Sequence, residues 1–151
     1  MPVDPSIVGR SFPPTRPYAV TAEALRAFAA ATGGAWTGGP APATFPIVTA
    51  FEAMNAFLEA EQVSLHRIVH GEQRFTYERP VVEGDELTAT LTVTSLRQIG
   101  GNDIIGTTSE VTDATGALVC TTGATLVHRG EADHEADHEA DHGAGDEGAG
   151  A

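Results

Sequence analysis

The sequence has 151 residues, 41% of them hydrophobic, a single cysteine and a formal net charge of −13, which is enough apolar material for one compact core and too little for two. Eight acids lie in residues 131–151, so residues 1–130 hold thirteen acids against eight arginines and no lysine, a balance of −5 that argues against a nucleic-acid partner. There is no run of eighteen apolar residues, and Met1-Pro2-Val3-Asp4-Pro5 is neither basic nor apolar, so no membrane span or export signal is expected and the cytoplasm is the default compartment.

In chain order, Thr21 to Ala31 predicts a short helix. Thr21 suits the N-cap, Glu23 the first turn and Gly33 the stop, while Leu25, Phe28 and Ala29 form a narrow apolar stripe. The segment Phe45 to Ala60 predicts a second helix, with Pro46 in its first turn and Ile47, Phe51, Met54 and Leu58 along one face. Val48, Ala50 and Phe57 make the opposite face apolar as well, and Glu52 is the only charge between Thr44 and Leu58, as expected of a helix buried on most sides.

From His70 the period shifts from 3.6 to 2. Leu87 to Thr94 alternates aliphatic residues with threonine and predicts a half-buried antiparallel strand. Turn chemistry at Gly100-Gly101-Asn102-Asp103 leads into a strand over Ile104 to Thr112, and Asp113-Ala114-Thr115-Gly116 leads into another over Ala117 to His128. With a shorter strand at Arg74 to Tyr77 this makes a meander of at least four strands after a mostly apolar helix. A curled sheet wrapped around that helix, the α+β hot-dog fold, satisfies both. One such sheet leaves an edge strand and part of the helix uncovered, so a dimer or larger assembly is expected.

Cys120 sits in an apolar strand and reads as a buried structural thiol. Residues 1–130 thus read as one domain. After Gly130 the sequence repeats Glu-Ala-Asp-His three times and ends in Gly, Ala and acids, a low-complexity tail predicted to be disordered and solubilising. Its His134, His138 and His142 could hold Zn or Ni weakly if helical; no other metal site and no cofactor are expected.

Four motifs, Pro42-Ala43-Thr44-Phe45-Pro46, Val69-His70-Gly71-Glu72-Gln73-Arg74-Phe75, Arg79-Pro80-Val81-Val82-Glu83-Gly84-Asp85 and Gly101-Asn102-Asp103-Ile104, occur in this order. Over about residues 3–129 the chain resembles the actinobacterial MaoC-like dehydratase N-terminal family, the FAS1-type dehydratases, whose best-known members are substrate-binding subunits of the mycobacterial (3R)-hydroxyacyl-ACP dehydratase. The resemblance implies a hot-dog protomer that pairs with a catalytic MaoC-like hot-dog subunit, helps to form an acyl-chain tunnel and serves fatty-acid metabolism. Its ligand would be an acyl thioester of coenzyme A or acyl carrier protein, with substrate contacts from Thr44, Phe45, Phe51, His70, Gly71, Gln73 and Arg74.

One departure from that family matters. Between the two helices this chain has only Gly33-Gly34-Ala35-Trp36-Thr37-Gly38-Gly39-Pro40-Ala41, where relatives carry a longer stretch with an Asp-x-Asn-Pro-like element. In the catalytic hydratases that region supplies the Asp and His, so the resemblance implies a chain without its own catalytic pair. Hydration of a thioester needs an acid and a base beside the α and β carbons. His70 is the obvious replacement, although it also reads as a residue that fixes the helix-to-sheet junction; His66 reads as exposed in the preceding loop. Glu52 with His70 would suit the rival reading, a homodimeric acyl-CoA thioesterase, and a non-enzymatic acyl-thioester-binding protein is the third. Arg67, Arg74 and Arg79 could meet coenzyme A phosphates or an acidic carrier protein if they cluster.

Overall fold

A computed structural model describes residues 3–130, so the tail histidines His134, His138 and His142 lie outside the described residues. The elements are β1 (Tyr18–Ala19), α1 (Ala22–Ala31), α2 (Ile47–Ala60), β2 (Ile68–Tyr77), β3 (Glu86–Ile99), β4 (Asn102–Thr112) and β5 (Leu118–His128), with short 3-10 turns at Pro5–Ile7 and Leu65–Arg67. They form a hot-dog fold: one antiparallel sheet in the order β1-β3-β4-β5-β2, curled around α2. No helix among the described residues is long and apolar enough to cross a membrane.

Local chemistry explains the element ends. The Thr21 hydroxyl accepts from the Ala24 amide at 3.1 Å and caps α1. The β3–β4 hairpin turns on Gly100 and Gly101, with φ of 58° and 81°, values that favour glycine at both positions of a tight hairpin. Asp113 closes the next turn by accepting from the amides of Thr115 and Ala117 at 2.9 and 3.1 Å. In β3, Leu87, Ala89, Leu91 and Val93 are buried in alternation, as the threonine pattern predicts. Register shifts at Val93/Ser95 in β3 and His70/Glu72 in β2 help the long strands to bend around the helix.

Three features depart from the sequence expectation. The strand predicted over Arg74 to Tyr77 begins at Ile68 and spans ten residues, because the bulge at Gly71 resets the alternation and hides its first half. The face of α2 that meets the core is Ala50, Ala53, Met54, Phe57 and Leu58, while Phe51 is 42% exposed beside the exposed Glu52; α2 is therefore not buried on most sides. The stripe that includes Phe51 is wider than one helix-to-sheet contact can cover. Finally, residues 3–20 do structural work that no local pattern announces. Gly9, Phe12 and Thr15 donate backbone hydrogen bonds to the carbonyls of Val93, Leu91 and Ala89, covering the edge of β3. Phe12 packs edge-on against Phe57 of α2 at 5.1 Å. The opposite edge of the sheet, β2, has no strand partner among the described residues.

Candidate functional site

Helix α2 packs against β3 and β4. Towards β5 and β2 it leaves a narrow cleft of about 10 Å³, room for about one water molecule. Phe51, Ala50 and Met54 form its helical wall, His70 and Gln73 of β2 its outer wall, and Thr107, Ser109 and Thr122 much of its floor. The bulge at Gly71 is what lets β2 turn His70 and Gln73 into one wall. A Cβ at Gly71 would lie 3.4 Å from the Thr125 carbonyl, so the strand passes close to β5 there.

The seven residues suggested as substrate contacts fall into three groups. Phe51, His70 and Gln73 meet in the cleft. Phe45 is 1% exposed, with its ring 5.3 Å from Phe28 and 6.1 Å from Tyr18, which makes it a core residue. Thr44, Gly71 and Arg74 are exposed and do not line the cleft.

His70 is held in one orientation. Gln73 donates its amide to the Arg74 carbonyl at 3.3 Å, which turns the Gln73 Oε1 towards His70 Nε2, 2.9 Å away. A proton on Nε2 is what that contact with Oε1 requires. Among the described residues, His70 is also the only titratable one lining the cleft. Glu52 is exposed and does not line it, and residues 32–46, between the helices, contain no acid and no histidine. His66 is exposed and bonds Ser64 at 2.9 Å. The phenol of Tyr77 is pushed up to about 12, mainly by burial and also by the neighbouring Cys120, and burial pushes the Cys120 thiol up to about 11. Both groups stay protonated near neutrality, so neither supplies a base or a thiolate.

The floor of the cleft is more polar than its surroundings. Thr107, Ser109 and Thr122 are each at most 5% exposed, and on α2 the Thr49 hydroxyl is the one buried side-chain oxygen among the described residues without a hydrogen-bond partner. Burying a hydroxyl without a partner costs about 1–3 kcal/mol, so such a group is usually paired or faces a wet or occupied space.

Two further polar clusters were not foreseen in the sequence. Asp103, at the start of β4, accepts from the Val3 amide at 2.9 Å and from Gln98 at 3.0 Å, and lies 3.1 Å from His128 Nδ1 at the end of β5. Burial opposes ionisation of Asp103, but the bonds from Val3, His128 and Gln98 outweigh it and hold the carboxyl below the usual range. This buried cluster pins the N-terminal segment to the sheet. Arg79 bonds Asp85 at 2.9 and 3.1 Å and Asp113 at 3.0 Å, tying the loop before β3 to the β4–β5 turn.

The three arginines suggested for phosphate recognition therefore do different things. Arg79 is held by two carboxylates, and Arg67 donates to the Arg129 carbonyl at 3.1 Å. Arg74 is largely exposed beside Glu72. No set of three His, Cys, Asp or Glu side chains among the described residues is placed to hold a metal ion.

With the geometry established, the chain compares closely with proteins of one family. The model for the FAS1-like, dehydratase domain region matches residues 6–122. A UPF0336 protein of Leifsonia xyli is 42% identical over 147 residues, covering 87% of this chain and 99% of the relative; one from Streptomyces coelicolor is 42% identical over 145 residues, covering 85% and 97%. Among solved structures, the C-terminally truncated HadBC (3R-hydroxyacyl-ACP dehydratase) complex of Mycobacterium tuberculosis matches with a TM-score of 0.70 at 28% identity over 80% of this chain and 96% of that one. A MaoC-like dehydratase matches with a TM-score of 0.67 at 31% identity, over 83% of this chain and 43% of that one. The chain belongs to the FAS1-like dehydratase family, within the MaoC-like hot-dog dehydratases.

Proposed function

We propose that this protein is the acyl-binding, non-catalytic subunit of a heteromeric (3R)-hydroxyacyl-thioester dehydratase acting in cytoplasmic fatty-acid metabolism. The observation that carries the proposal is that, in a chain of the dehydratase family, His70 is the one titratable group among the described residues lining the cleft beneath α2, with no carboxylate beside it. Reversible hydration needs both an acid and a base in reach of the substrate carbons. The missing pair comes from a second MaoC-like hot-dog subunit.

The open edge of β2, with Val69 and Leu65 exposed near it, supports pairing with such a subunit. In this reading residues 1–130 form the binding domain and residues 131–151 a charged appendage. The thioester belongs to coenzyme A or to acyl carrier protein. His70 orients the thioester through Nδ1 or through its bond to Gln73, and the apolar wall from Phe51 to Met54 receives the chain.

Co-expression with a MaoC-type hydratase that retains both its Asp and its His tests the proposal. Size exclusion is followed by crotonyl-CoA hydration assays on the complex and on each chain alone. A stable complex that exceeds the partner's own activity, with no hydration by this chain, is the expected result. Full hydration by this chain alone would overturn it.

A further inference from the structure

Three of the eight basic residues, Arg67, Arg97 and Arg129, stand at one end of the sheet, where β2 begins and β5 ends beside the β3–β4 hairpin. Arg97 is the cross-strand partner of Ile104, Ile104 of Val127 and Val127 of Val69, a row that crosses four strands. Asp103, Ile105, Leu126 and His128 are buried, so strand alternation turns this row to the outer face of the sheet. Arg129 follows Val127 by two residues, and its amide donates to the Arg67 carbonyl at 2.9 Å, which brings Arg67 alongside. Among the described residues none of these three arginines pairs with a carboxylate, whereas Glu72, further along the same face, lies 3.4 Å from Arg74.

The acidic segment of the chain starts at this same end. The Gly130 amide donates to Asn102 Oδ1 at 3.4 Å, and a Cβ at Gly130 would collide with the Gly101 carbonyl, so the chain leaves β5 tight against the hairpin. Acids then recur at every second position, Glu131, Asp133, Glu135, Asp137, Glu139 and Asp141, a period that puts all six on one side of an extended segment. Two strand spacings separate β5 from β3, about 10 Å, which three or four extended residues span. Attachment through Gly130 holds these acids at an effective concentration on the order of millimolar beside the arginines, so individually weak surface pairs act together. A second copy of this face would instead set arginine against arginine.

We infer that residues 131–141 lie extended across this end of the outer face with their carboxylates on Arg129, Arg97 and Arg67, so that the acidic tail is the built-in occupant of an anion-binding patch. An acidic partner reaches that face only by displacing the tail. The inference is independent of the acyl-binding reading of the cleft.

The test is paramagnetic broadening in the isotopically labelled full-length chain with a nitroxide attached at Ala136→Cys, for which the buried Cys120 does not compete. Amide signals of Arg97, Ile99, Asn102 and Ile104 should be about twofold weaker in about 20 mM salt than in about 0.5 M, where the Debye length is only about 4 Å and the tether alone remains. Arg97→Gln, at an exposed position, should remove most of that difference, whereas Arg74→Gln, beside Glu72, should leave it. Neutralising the tail instead, with Glu135→Gln and Asp137→Asn, should act as Arg97→Gln does without touching the folded domain. Signals of Thr90, Glu110 and Thr121, aligned further along the strands, should not respond to salt. Equal broadening at both salt concentrations, or an unchanged salt response after Arg97→Gln and after tail neutralisation, would overturn the inference. Broadening of a labelled chain by an unlabelled chain that carries the nitroxide would also overturn it, because the tail would then dock on a neighbouring molecule.

Discussion

The inner face of the sheet is two surfaces. Under α2, Ala89, Leu91 and Val93 of β3 with Ile105 and Val111 of β4 are fully buried and apolar, and Phe57 and Leu58 close over them. Towards β5 and β2 the same face carries Thr107, Ser109, Thr122, Gln73 and His70, which line the cleft. The first surface earns its stability from burial at about 25 cal/mol per Å² of apolar area, and the second gives up part of that gain. The difference teaches that the inward positions of one strand can change from apolar to polar and back, as Thr107 and Ser109 do between Ile105 and Val111, without any change of backbone.

Substitutions should separate the two surfaces. The largest effect belongs to the covered half: Phe57→Ala removes a fully buried ring that also packs on Phe12, and should cost about 3–5 kcal/mol by denaturant unfolding. In contrast, Phe51→Ala, on the rim of the cleft, should change stability by less than about 0.5 kcal/mol while weakening acyl-thioester binding. Equal destabilisation by the two would erase the distinction.

Next comes the ion cluster that frames the sheet rather than the cleft. Arg79→Ala leaves Asp85 and Asp113 without their cation, and should cost about 1–2 kcal/mol, a figure kept low because the guanidinium is 36% exposed. The same variant should bind thioester normally, since Arg79 is not a cleft residue.

Acid sensitivity sharpens the point. The carboxyl of Asp113 is held down to about 2, chiefly by the Thr115 hydroxyl and then by Arg79. Those of Asp85 and Asp103 are also lowered, in each case against a burial effect that opposes ionisation. Groups with depressed folded values contribute stability that is complete above the unfolded value near ~4 and is lost as the pH falls through the folded values. Thermal melts should therefore fall steeply between about pH 4 and 2, and Asp103→Asn should flatten that slope while lowering the plateau above it. The smallest effect concerns Cys120: its buried thiol, pushed up to about 11, should resist a thiol-specific disulfide reagent in the folded protein and react once it is unfolded.

Much of the covered half was legible in the sequence. Alternation in Leu87 to Thr94 and the capped helix at Thr21 are local patterns, and each fixes an element before any contact is known. Of the residues suggested as substrate contacts, Phe51, His70 and Gln73 lie together along the cleft. What local pattern could not show depends on pairing across long separations. Asp103 meets Val3 a hundred residues away, and nothing near either position announces it. The polar floor of the cleft was hidden for a different reason. In Ile104-Ile105-Gly106-Thr107-Thr108-Ser109 polar and apolar residues do not alternate, so only the register against β3 and β5 shows that Thr107 and Ser109 face inward. Phe51 misled because a helical stripe reports which residues share a face, not how far the sheet reaches around it.

The most direct test of ligand binding in the cleft is a titration of the isotopically labelled full-length chain with (3R)-3-hydroxyhexanoyl-CoA, followed by amide chemical shifts. Changes concentrated at residues 47–54, 70–73, 107–109 and 122–124 are predicted. Changes confined to the open groove between Pro40 and Val81, or none at any residue, would mean that the cleft beneath α2 is not where this protein meets an acyl chain.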